Sequence, residues 1–381
     1  MYRNPFAVDE LSGRIEAVRT LLADLRLDAA VLSVPENVFY LTGLDHWGYF
    51  APHLLVVPLE GEPVLVTRAM ERVVVANQLR TAAFRGHSDE ETAADEAARV
   101  LADIGLAGGH IGLEYWSWGF CHGLAESLKA QVDAVWEDIS GLVDGLRAIK
   151  SPAEQALMRA AAKVTDAATS AAVAAIHDGA AEREVAAECL AAMTRAGGDP
   201  PGFGPFIRPF HRLGEEHTTW GDGRYARGEP VFLEICGCVG RYNTPNGRFV
   251  HIGEIPDANA RIAEVSQRAF DAVIAALKPG TTAAAVYDAW QAVVDDAGLG
   301  HYRRHHCGYM VGISFPPTWT GANKVVGLRA GSDMAIEAGM SFHIMSWLMG
   351  SGQGDFFVSN CVLLGPDGPE VLTTTPSVPV R

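Results

Sequence analysis

The chain has 381 residues, which is enough for two domains that each bury a hydrophobic core. Its net charge of −16 argues against nucleic acids and anionic membrane surfaces as partners, because both require a basic patch. No apolar run reaches the length of a membrane span, and the N-terminus lacks the pattern of a signal peptide, so we expect a cytoplasmic protein.

The first 143 residues alternate predicted helices with short apolar runs typical of buried strands. We predict helices over 10–27, 89–104 and 117–131. We predict strands over 29–34, 53–59, 63–67, 110–115 and 133–136, the second and third of which form a hairpin. This alternation predicts an α/β domain over 1–143, followed by a linker over 144–151.

A second domain, 152–381, begins at Ser151-Pro152-Ala153-Glu154, which has the pattern of a capping box with proline at the first helical position. We predict helices from there to about 176 and over 181–196, 257–277 and 282–297. The regions 200–253 and 305–381 have the pattern of strands and loops. Helices that bracket β segments predict an α+β fold, with a curved antiparallel sheet and its helices on one face.

Two groups of residues have metal-binding side chains, but their spacing favours another interpretation. Cys236 and Cys238 fall on one face of a predicted strand and are expected to be buried thiols. The second group is His301, His305, His306 and Cys307. Adjacent His305 and His306 would diverge on a strand, and the neighbouring arginines would repel a cation, so we predict no metal there.

Three runs of sequence carry a resemblance to a known family: DAAVLSVPENVFYLTG, LRAIKSPAEQALMRAAAKVTDAA and GLRAGSDMAIEAGMSFHIM. Their order and content resemble the creatinase, prolidase and aminopeptidase P superfamily. That resemblance implies a creatinase-type α/β N-terminal domain followed by an α+β pita-bread domain. Two further runs, GEPVFLEICGCVGRYNTPNGRFVHIG and GYMVGISFPPTW, are most similar to ectoine hydrolases and, more distantly, to creatinase.

The resemblance also implies where metallopeptidases of this superfamily place their five metal ligands. The two aspartate positions fall at Glu234 and Pro245, the histidine position at Tyr309, and the two glutamate positions at Met345 and Ser359. Only Glu234 keeps a carboxylate, whereas divalent metals need several converging oxygen or nitrogen ligands. We therefore expect a metal-independent protein with no cofactor. A metallopeptidase with rearranged ligands is the alternative.

His217, in the run GEEHTTWGDG, is the candidate general acid and base. The resemblance places it at the position of the creatinase histidine that shuttles protons. An imidazole titrates near neutral pH, so it can take a proton from water and return it to a leaving nitrogen. The alternative is a surface histidine beside two glutamates. Trp220 ends the same His-x-Thr-Trp motif and is a candidate substrate-binding residue.

Glu234 lies inside an apolar strand, with its side chain opposite those of Leu233 and Ile235. A buried carboxylate is costly unless it is paired, and a cationic amidine or guanidine offers two N–H groups to its two oxygens. The carboxylate could also attack the amidine carbon. The alternative is an internal salt bridge with Arg241 or Arg248.

Five further side chains are expected near these two residues. His343 is predicted to orient the substrate or stabilise charge, with a core histidine as the alternative. Tyr309 and Trp319 are expected to sandwich a flat amidinium, although core packing would explain Trp319 equally well. Arg208 and Arg212 flank the histidine loop and would bind a substrate carboxylate, unless they pair with the two glutamates of that loop.

The loop DHWGYF, residues 45–50, corresponds to a loop that reaches the partner's site in creatinase-like dimers. Trp47 and Tyr49 are therefore candidate substrate-binding residues of a homodimer, with packing between domains as the alternative. The substrate wall departs from the family pattern. Ser359 and Asn360 stand where the resemblance implies acids in ectoine hydrolases. The segment PPTWTGANK stands where creatinases place an arginine, and it contains none.

The sequence thus predicts a metal-independent hydrolase that cleaves a C–N bond other than a peptide bond. Its substrate would be a small cationic amidine or guanidino compound. A cyclic amidine, a guanidino acid and an intermediate of a specialised pathway all remain open. Three other functions stay open: an Xaa-Pro peptidase, an enzyme that uses the same site for ring closure or a lyase step, and a non-catalytic binding module.

Overall fold

A computed structural model describes residues 4–321 and 324–378 of the chain. Ala322 and Asn323, which belong to the segment PPTWTGANK, lie outside the described residues. The chain divides into two compact units between Arg147 and Ala148, inside the segment assigned to the linker. Among the described helices, none combines the length and the apolar character needed to cross a bilayer.

The N-terminal unit contains a six-stranded mixed sheet in the order β4-β3-β2-β1-β5-β6, with strands β1 (Ala29–Leu32), β2 (Leu54–Pro58), β3 (Val64–Arg68), β4 (Ala83–His87), β5 (His110–Leu113) and β6 (Val135–Asp138). Strand β2 is antiparallel to both its neighbours, and the other pairs are parallel. The helices are α1 (Val8–Leu25), α2 (Pro35–Thr42), α3 (Arg72–Gln78), α4 (Ala93–Asp103), α5 (His122–Gln131) and α6 (Leu142–Ala148). The α/β prediction and the hairpin are confirmed, whereas β4 and the short helices α2, α3 and α6 were not predicted.

The C-terminal unit contains a seven-stranded antiparallel sheet. Six strands follow the order β10-β11-β12-β9-β8-β7, and the seventh, β13, pairs with β12. Its strands are β7 (Phe206–Pro209), β8 (Pro230–Val239), β9 (Tyr242–His251), β10 (Gly308–Met310), β11 (Ser341–Leu348), β12 (Phe356–Gly365) and β13 (Gly368–Val371). The helices are α7 (Pro152–Ala175), α8 (Glu182–Arg195), α9 (Asp257–Ala276) and α10 (Ala283–Val294). The predicted α+β arrangement is confirmed.

Helix α7 begins at the predicted capping box and lies directly on β8. Ser151 Oγ accepts a hydrogen bond from the Glu154 amide at 3.3 Å, and Glu154 Oε2 accepts one from the Ser151 amide at 2.9 Å. Gly237 permits the close approach, because a Cβ there would lie 2.6 Å from the Thr165 amide nitrogen. Thr165 Oγ1 instead accepts a hydrogen bond from the Gly237 amide at 2.8 Å and donates to the Thr244 carbonyl at 2.6 Å. The helix is thus tied to both β8 and β9.

The two faces of β8 have different surroundings. Leu233 and Ile235 belong to the hydrophobic core beneath α7 and α8. Glu234 points to the opposite face, as the alternation of a strand requires. Cys236 and Cys238 alternate onto that same face and are buried, unbridged thiols, which confirms the sequence interpretation.

A candidate active site on the C-terminal sheet

A cavity of about 420 Å³ lies on the face of the sheet that carries Glu234. Its ionisable lining residues are Glu216, His217, Glu234, Arg304, His305, His306 and Tyr309. Its aromatic wall is completed by Phe203, Phe206, Trp319 and Trp347. The structure therefore brings together His217, Glu234, Tyr309 and Trp319, four of the residues selected from the sequence.

His217 is held at the cavity on a loop in an uncommon backbone conformation. Its φ angle is 55°, in the left-handed region that residues other than glycine rarely occupy. The imidazole stacks on Phe203 with ring centroids 6.2 Å apart and meets Phe206 edge-on at 6.0 Å. No hydrogen bond to the imidazole comes from any residue that the structure describes. Its nitrogens are therefore available to water or a substrate, and such local strain is typical of functional positions.

Arg208 and Arg212 hold the histidine loop and do not line the cavity. Arg208 donates to the Glu215 carbonyl, and its guanidinium lies 4.2 Å from the centroid of the Phe232 ring. Arg212 donates to Glu215 Oε2 at 2.8 Å and to the Thr219 carbonyl at 2.9 Å. The structure thus corrects their predicted role as carboxylate-binding residues, and for Arg212 it supports the alternative of pairing within the loop.

The Glu234 carboxyl faces the cavity without an ion pair to a lysine or arginine among the described residues. His343 Nδ1 lies 3.8 Å from Glu234 Oε1. Burial raises the pKa of the Glu234 carboxyl to about 8, although Arg208 and Arg304 act in the opposite direction. Arg248, an alternative partner from the sequence, donates instead to the Ser359 carbonyl at 2.7 Å. Burial therefore favours the protonated form of the Glu234 carboxyl at neutral pH.

Arg241, the other partner considered for Glu234, also lies elsewhere. Its guanidinium carbon is 4.9 Å from the centroid of the Phe315 ring, and no ion pair joins it to Glu234 in the described structure. Within the described residues, Glu234 thus forms no salt bridge with Arg241 or with Arg248, the two partners that the alternative interpretation named.

A chain of hydrogen bonds runs behind the cavity wall through His343. The Trp319 indole N–H donates to the Tyr309 hydroxyl at 2.8 Å, and that oxygen lies 2.9 Å from His343 Nδ1. His343 Nε2 lies 2.6 Å from Ser359 Oγ. Burial lowers the pKa of His343 to about 3, so its imidazole is neutral and one of its two nitrogens accepts. His343 supports the wall from behind, as a satisfied core histidine does.

The positions that the resemblance assigns to metal ligands do not offer a metal-binding donor set. Glu234 supplies one carboxylate, and Pro245 has no donor atom in its side chain. Tyr309 and Ser359 are engaged with His343, and Met345 brings a thioether. Across the described residues, no group of three His, Cys, Asp or Glu side chains is arranged to hold a metal ion. Hard divalent cations need more oxygen or nitrogen donors than these positions provide.

Sequence reasoning did not assign a site role to Arg304, His305 and His306, which line the cavity. The expectation that His305 and His306 diverge on a strand was wrong, because residues 302–307 form an irregular loop. Their ring centroids lie only 4.2 Å apart. Burial lowers the pKa of His306 to about 3 and also lowers that of His305. The dense RRHH run just before Tyr309 was the available signal.

Three predicted substrate-binding residues, Trp47, Tyr49 and Trp220, are not among the described residues that line this cavity. Trp220 packs against the core beneath α7 and α8. In the N-terminal unit, Tyr49 is buried and its hydroxyl donates to the Leu44 carbonyl at 3.1 Å, so its ring belongs to the core of that unit. Trp47 is 60% exposed on the same loop. The roles predicted for Trp220 and Tyr49 are therefore corrected.

Comparison with known proteins gives matches along nearly the whole chain. Metallopeptidase family M24 matches residues 156–366, and the creatinase/prolidase N-terminal domain matches residues 14–149. The ectoine hydrolase of Halomonas elongata is 29% identical, covering 98% of this chain and 97% of its own length. The Xaa-Pro dipeptidase of Pyrococcus furiosus is 24% identical, covering 95% and 98%.

Solved structures share the fold at lower sequence identity. A prolidase from Thermococcus sibiricus superposes with a TM-score of 0.86 at 18% identity, covering 98% of this chain and 100% of that one. The N-terminal domain of the FACT complex subunit SPT16 from chickpea superposes with a TM-score of 0.75 at 15% identity, covering 97% of each chain. At such identities the likeness concerns the fold alone.

Proposed function

Since this chain belongs to metallopeptidase family M24 and is a hydrolase of that family, we propose that it cleaves a C–N bond in a small amidine or guanidino compound. The predicted superfamily and its architecture, a creatinase-type domain followed by a pita-bread domain, are confirmed. The observation that carries the proposal is the Glu234 carboxyl, which forms no ion pair with any lysine or arginine that the structure describes and lines the same cavity as His217.

A planar cation fits the surroundings of Glu234. An amidinium presents two N–H groups that match the two carboxylate oxygens, and its positive charge would favour ionisation of a carboxyl whose pKa burial has raised to about 8. Tyr309, Trp319 and Trp347 supply aromatic faces and edges around the same space. Aromatic faces attract cations, so they favour a cationic substrate over a neutral one.

Two reaction routes use the same pair of residues. In the first, Glu234 holds the amidinium, and His217 takes a proton from water as the water oxygen bonds to the amidine carbon. His217 then returns the proton to the leaving nitrogen as the C–N bond breaks. In the second, a Glu234 carboxylate oxygen bonds to the amidine carbon, and the C–N bond breaks as His217 protonates the leaving nitrogen. His217 then takes a proton from water as the water oxygen bonds to the same carbon, and the bond from that carbon to the Glu234 oxygen breaks. Either route converts an amidinium and water into an amide and a protonated amine.

We propose that neither route involves a metal. Two observations support this view. Glu234 is the one carboxylate among the five positions assigned to metal ligands, and the hydroxyls of Tyr309 and Ser359 are hydrogen-bonded to His343. The Xaa-Pro dipeptidase relatives make a rearranged metal site the rival proposal. Cleavage of an Xaa-Pro dipeptide that depends on added manganese, zinc or cobalt would favour that rival.

The direct test is incubation with ectoine, 5-hydroxyectoine and creatine, with the products followed by mass spectrometry. Ectoine comes first because a relative of matching length is an ectoine hydrolase. We expect a mass gain of one water in the opened product, or the corresponding pair of fragments, and loss of turnover in His217→Asn. Unchanged turnover in that variant would remove His217 from the mechanism. Tight binding of these compounds without any turnover would favour a binding module.

We also propose a homodimer in which the loop of residues 45–50 approaches the partner's cavity. The support is the exposure of two large apolar residues in this one loop, Trp47 at 60% and Phe50 at 79%, because apolar surface exposed together marks interaction sites. Sedimentation velocity gives the oligomeric state, and Trp47→Ser tests the contribution of the loop. A monomer with full activity would contradict this arrangement.

A further inference from the structure

Arg304 carries a positive charge into the cavity without a partner for it. Its guanidinium carbon lies 4.8 Å from the centroid of the Trp347 ring, which orients the group by a cation–π contact. Its Nε is shielded from solvent and has no hydrogen-bond partner. None of the residues that the structure describes accepts a hydrogen bond from this guanidinium. A shielded donor left unsatisfied is costly, so a ligand that satisfies it gains affinity.

The groups around Arg304 leave it as the fixed cation of the cavity. It is the sole lysine or arginine among the lining residues that the structure describes. Burial lowers the pKa values of His305 and His306 beside it, so their imidazoles are neutral at neutral pH. Glu216 and Glu234 line the same cavity, but neither forms an ion pair with Arg304 within the described residues. The described lining of the cavity thus holds two carboxyl groups, Glu216 and Glu234, and one permanent cation, Arg304.

We propose that Arg304 binds a carboxylate of the substrate, which makes the substrate a compound with a cationic C–N centre at one end and a carboxylate at the other. A guanidinium presents parallel N–H groups that match a carboxylate in two-pronged geometry. The cationic half of this description rests on the proposed function, whereas the anionic half rests on Arg304 alone. Arg304 takes the role that the sequence suggested for Arg208 and Arg212.

A pair of probes without an amidine isolates the role of Arg304. Phenylacetate and phenylacetamide share a ring that suits the aromatic wall, and they differ only in the charge of the group offered to the guanidinium. Their dissociation constants are measured by calorimetry at pH 6.5, where the Glu234 carboxyl, with a pKa of about 8, is protonated and repels neither probe. We expect unaltered protein to bind phenylacetate at least about tenfold more tightly than phenylacetamide.

Three variants decide whether Arg304 is responsible. Arg304→Gln is expected to abolish the preference for phenylacetate, and Arg304→Lys to keep only part of it, because an ammonium lacks the planar fork. Arg303→Gln is the matched control, since Arg303 is exposed and paired with Asp295 at 2.8 Å, and it should leave the preference unchanged. Circular dichroism verifies that each variant is folded. If Arg304→Gln does not fold, the reduced preference of Arg304→Lys gives the same decision.

The outcomes separate this inference from the proposed reaction. A preference for phenylacetate that survives Arg304→Gln, or its absence from the unaltered protein, overturns the role of Arg304 whatever amidines are hydrolysed. A preference that disappears with Arg304 supports the role even if no amidine is turned over, in which case the proposed reaction alone fails.

Discussion

The hydroxyl oxygen of Tyr309, at the position that the resemblance assigns to a metal-binding histidine, lies 2.9 Å from Nδ1 of His343. The other nitrogen of the same imidazole reaches Ser359, at the position of a ligand glutamate, at 2.6 Å. A hydrogen-bond chain therefore joins two positions that the resemblance assigns to metal ligands. These bonds connect Trp319, Tyr309, His343 and Ser359 in the wall of the cavity.

We predict that Tyr309→Phe lowers the free energy of unfolding by about 1–3 kcal/mol, because it leaves the Trp319 N–H and His343 Nδ1 without their partner in a buried site. Urea unfolding followed by circular dichroism measures the loss. Tyr115→Phe is the control, since the Tyr115 side chain is 44% exposed. Equal stability of the two variants would mean that the hydrogen bonds of Tyr309 contribute nothing to the stability of the fold.

We predict that His217→Asn lowers kcat by about 10²–10⁴-fold on whichever amidine is turned over, since an amide cannot transfer the proton. Asparagine tolerates a φ of 55°, so the loop keeps its conformation. His211→Asn, in an exposed histidine that does not line the cavity, should retain full activity. Loss of activity in both variants would point to disturbance of the loop instead of loss of a proton carrier.

We predict that Glu234→Gln makes the protein more stable at alkaline pH. The carboxyl has a pKa of about 8 in the folded protein, above its ordinary value of 4.5. The stability from its protonated form is fully present below pH 4.5 and is lost as the pH rises towards 8, by at most about 1.4 kcal/mol per pH unit.

Urea unfolding of both proteins at pH 5, 7 and 9 measures this dependence. The stability advantage of the glutamine variant should grow with pH, and other titrating groups cancel because both proteins carry them. An advantage that does not change with pH would show that the pKa of Glu234 is not raised in the folded protein.

We predict that Arg212→Gln lowers kcat several-fold with little change in KM, because Arg212 holds the loop that positions His217. Its two hydrogen bonds tie the loop at Glu215 and Thr219. The control is Arg183→Gln, in an exposed arginine paired with Asp222. A rise in KM at unchanged kcat would restore the earlier interpretation, in which Arg212 binds the substrate.

We predict that dialysis against a chelator leaves turnover of the amidine unchanged, and that metal analysis of the purified protein gives much less than one ion per chain. The physical reason is the donor set, in which Glu234 alone retains a carboxylate. Recovery of lost activity by one particular divalent metal would contradict this prediction. Nonspecific inhibition by the chelator is controlled by adding it to the reaction without dialysis.

The sequence predicted the residues whose direction follows from a regular strand. Glu234 alternates with Leu233 and Ile235, so its face could be assigned before the structure was known. Tyr309 and Trp319 were identified from the run GYMVGISFPPTW and its resemblance to ectoine hydrolases. These predictions succeeded because short-range order determines which way a side chain points.

The errors arise where proximity along the chain was taken for proximity in space. Arg208 and Arg212 lie close to His217 in sequence, but their guanidinium groups bond within the loop and are not among the residues that line the cavity. Arg304 and His306 were not assigned to the site because residues 302–307 have no periodicity to orient them. Their position depends on the packing of distant segments, such as β11 with Trp347, which local patterns do not encode.

The contact of Gly237 with helix α7 has a consequence for ligand binding. Glu234 lies three residues earlier on the same strand, so its backbone is fixed by the bonds of Thr165 to β8 and β9. A preorganised carboxyl loses little conformational entropy when it meets its partner, and the interaction energy then contributes almost fully to affinity. The induced changes on binding should therefore be confined to the loops that carry His217 and Arg304, while the central strands keep the same coordinates with and without a ligand.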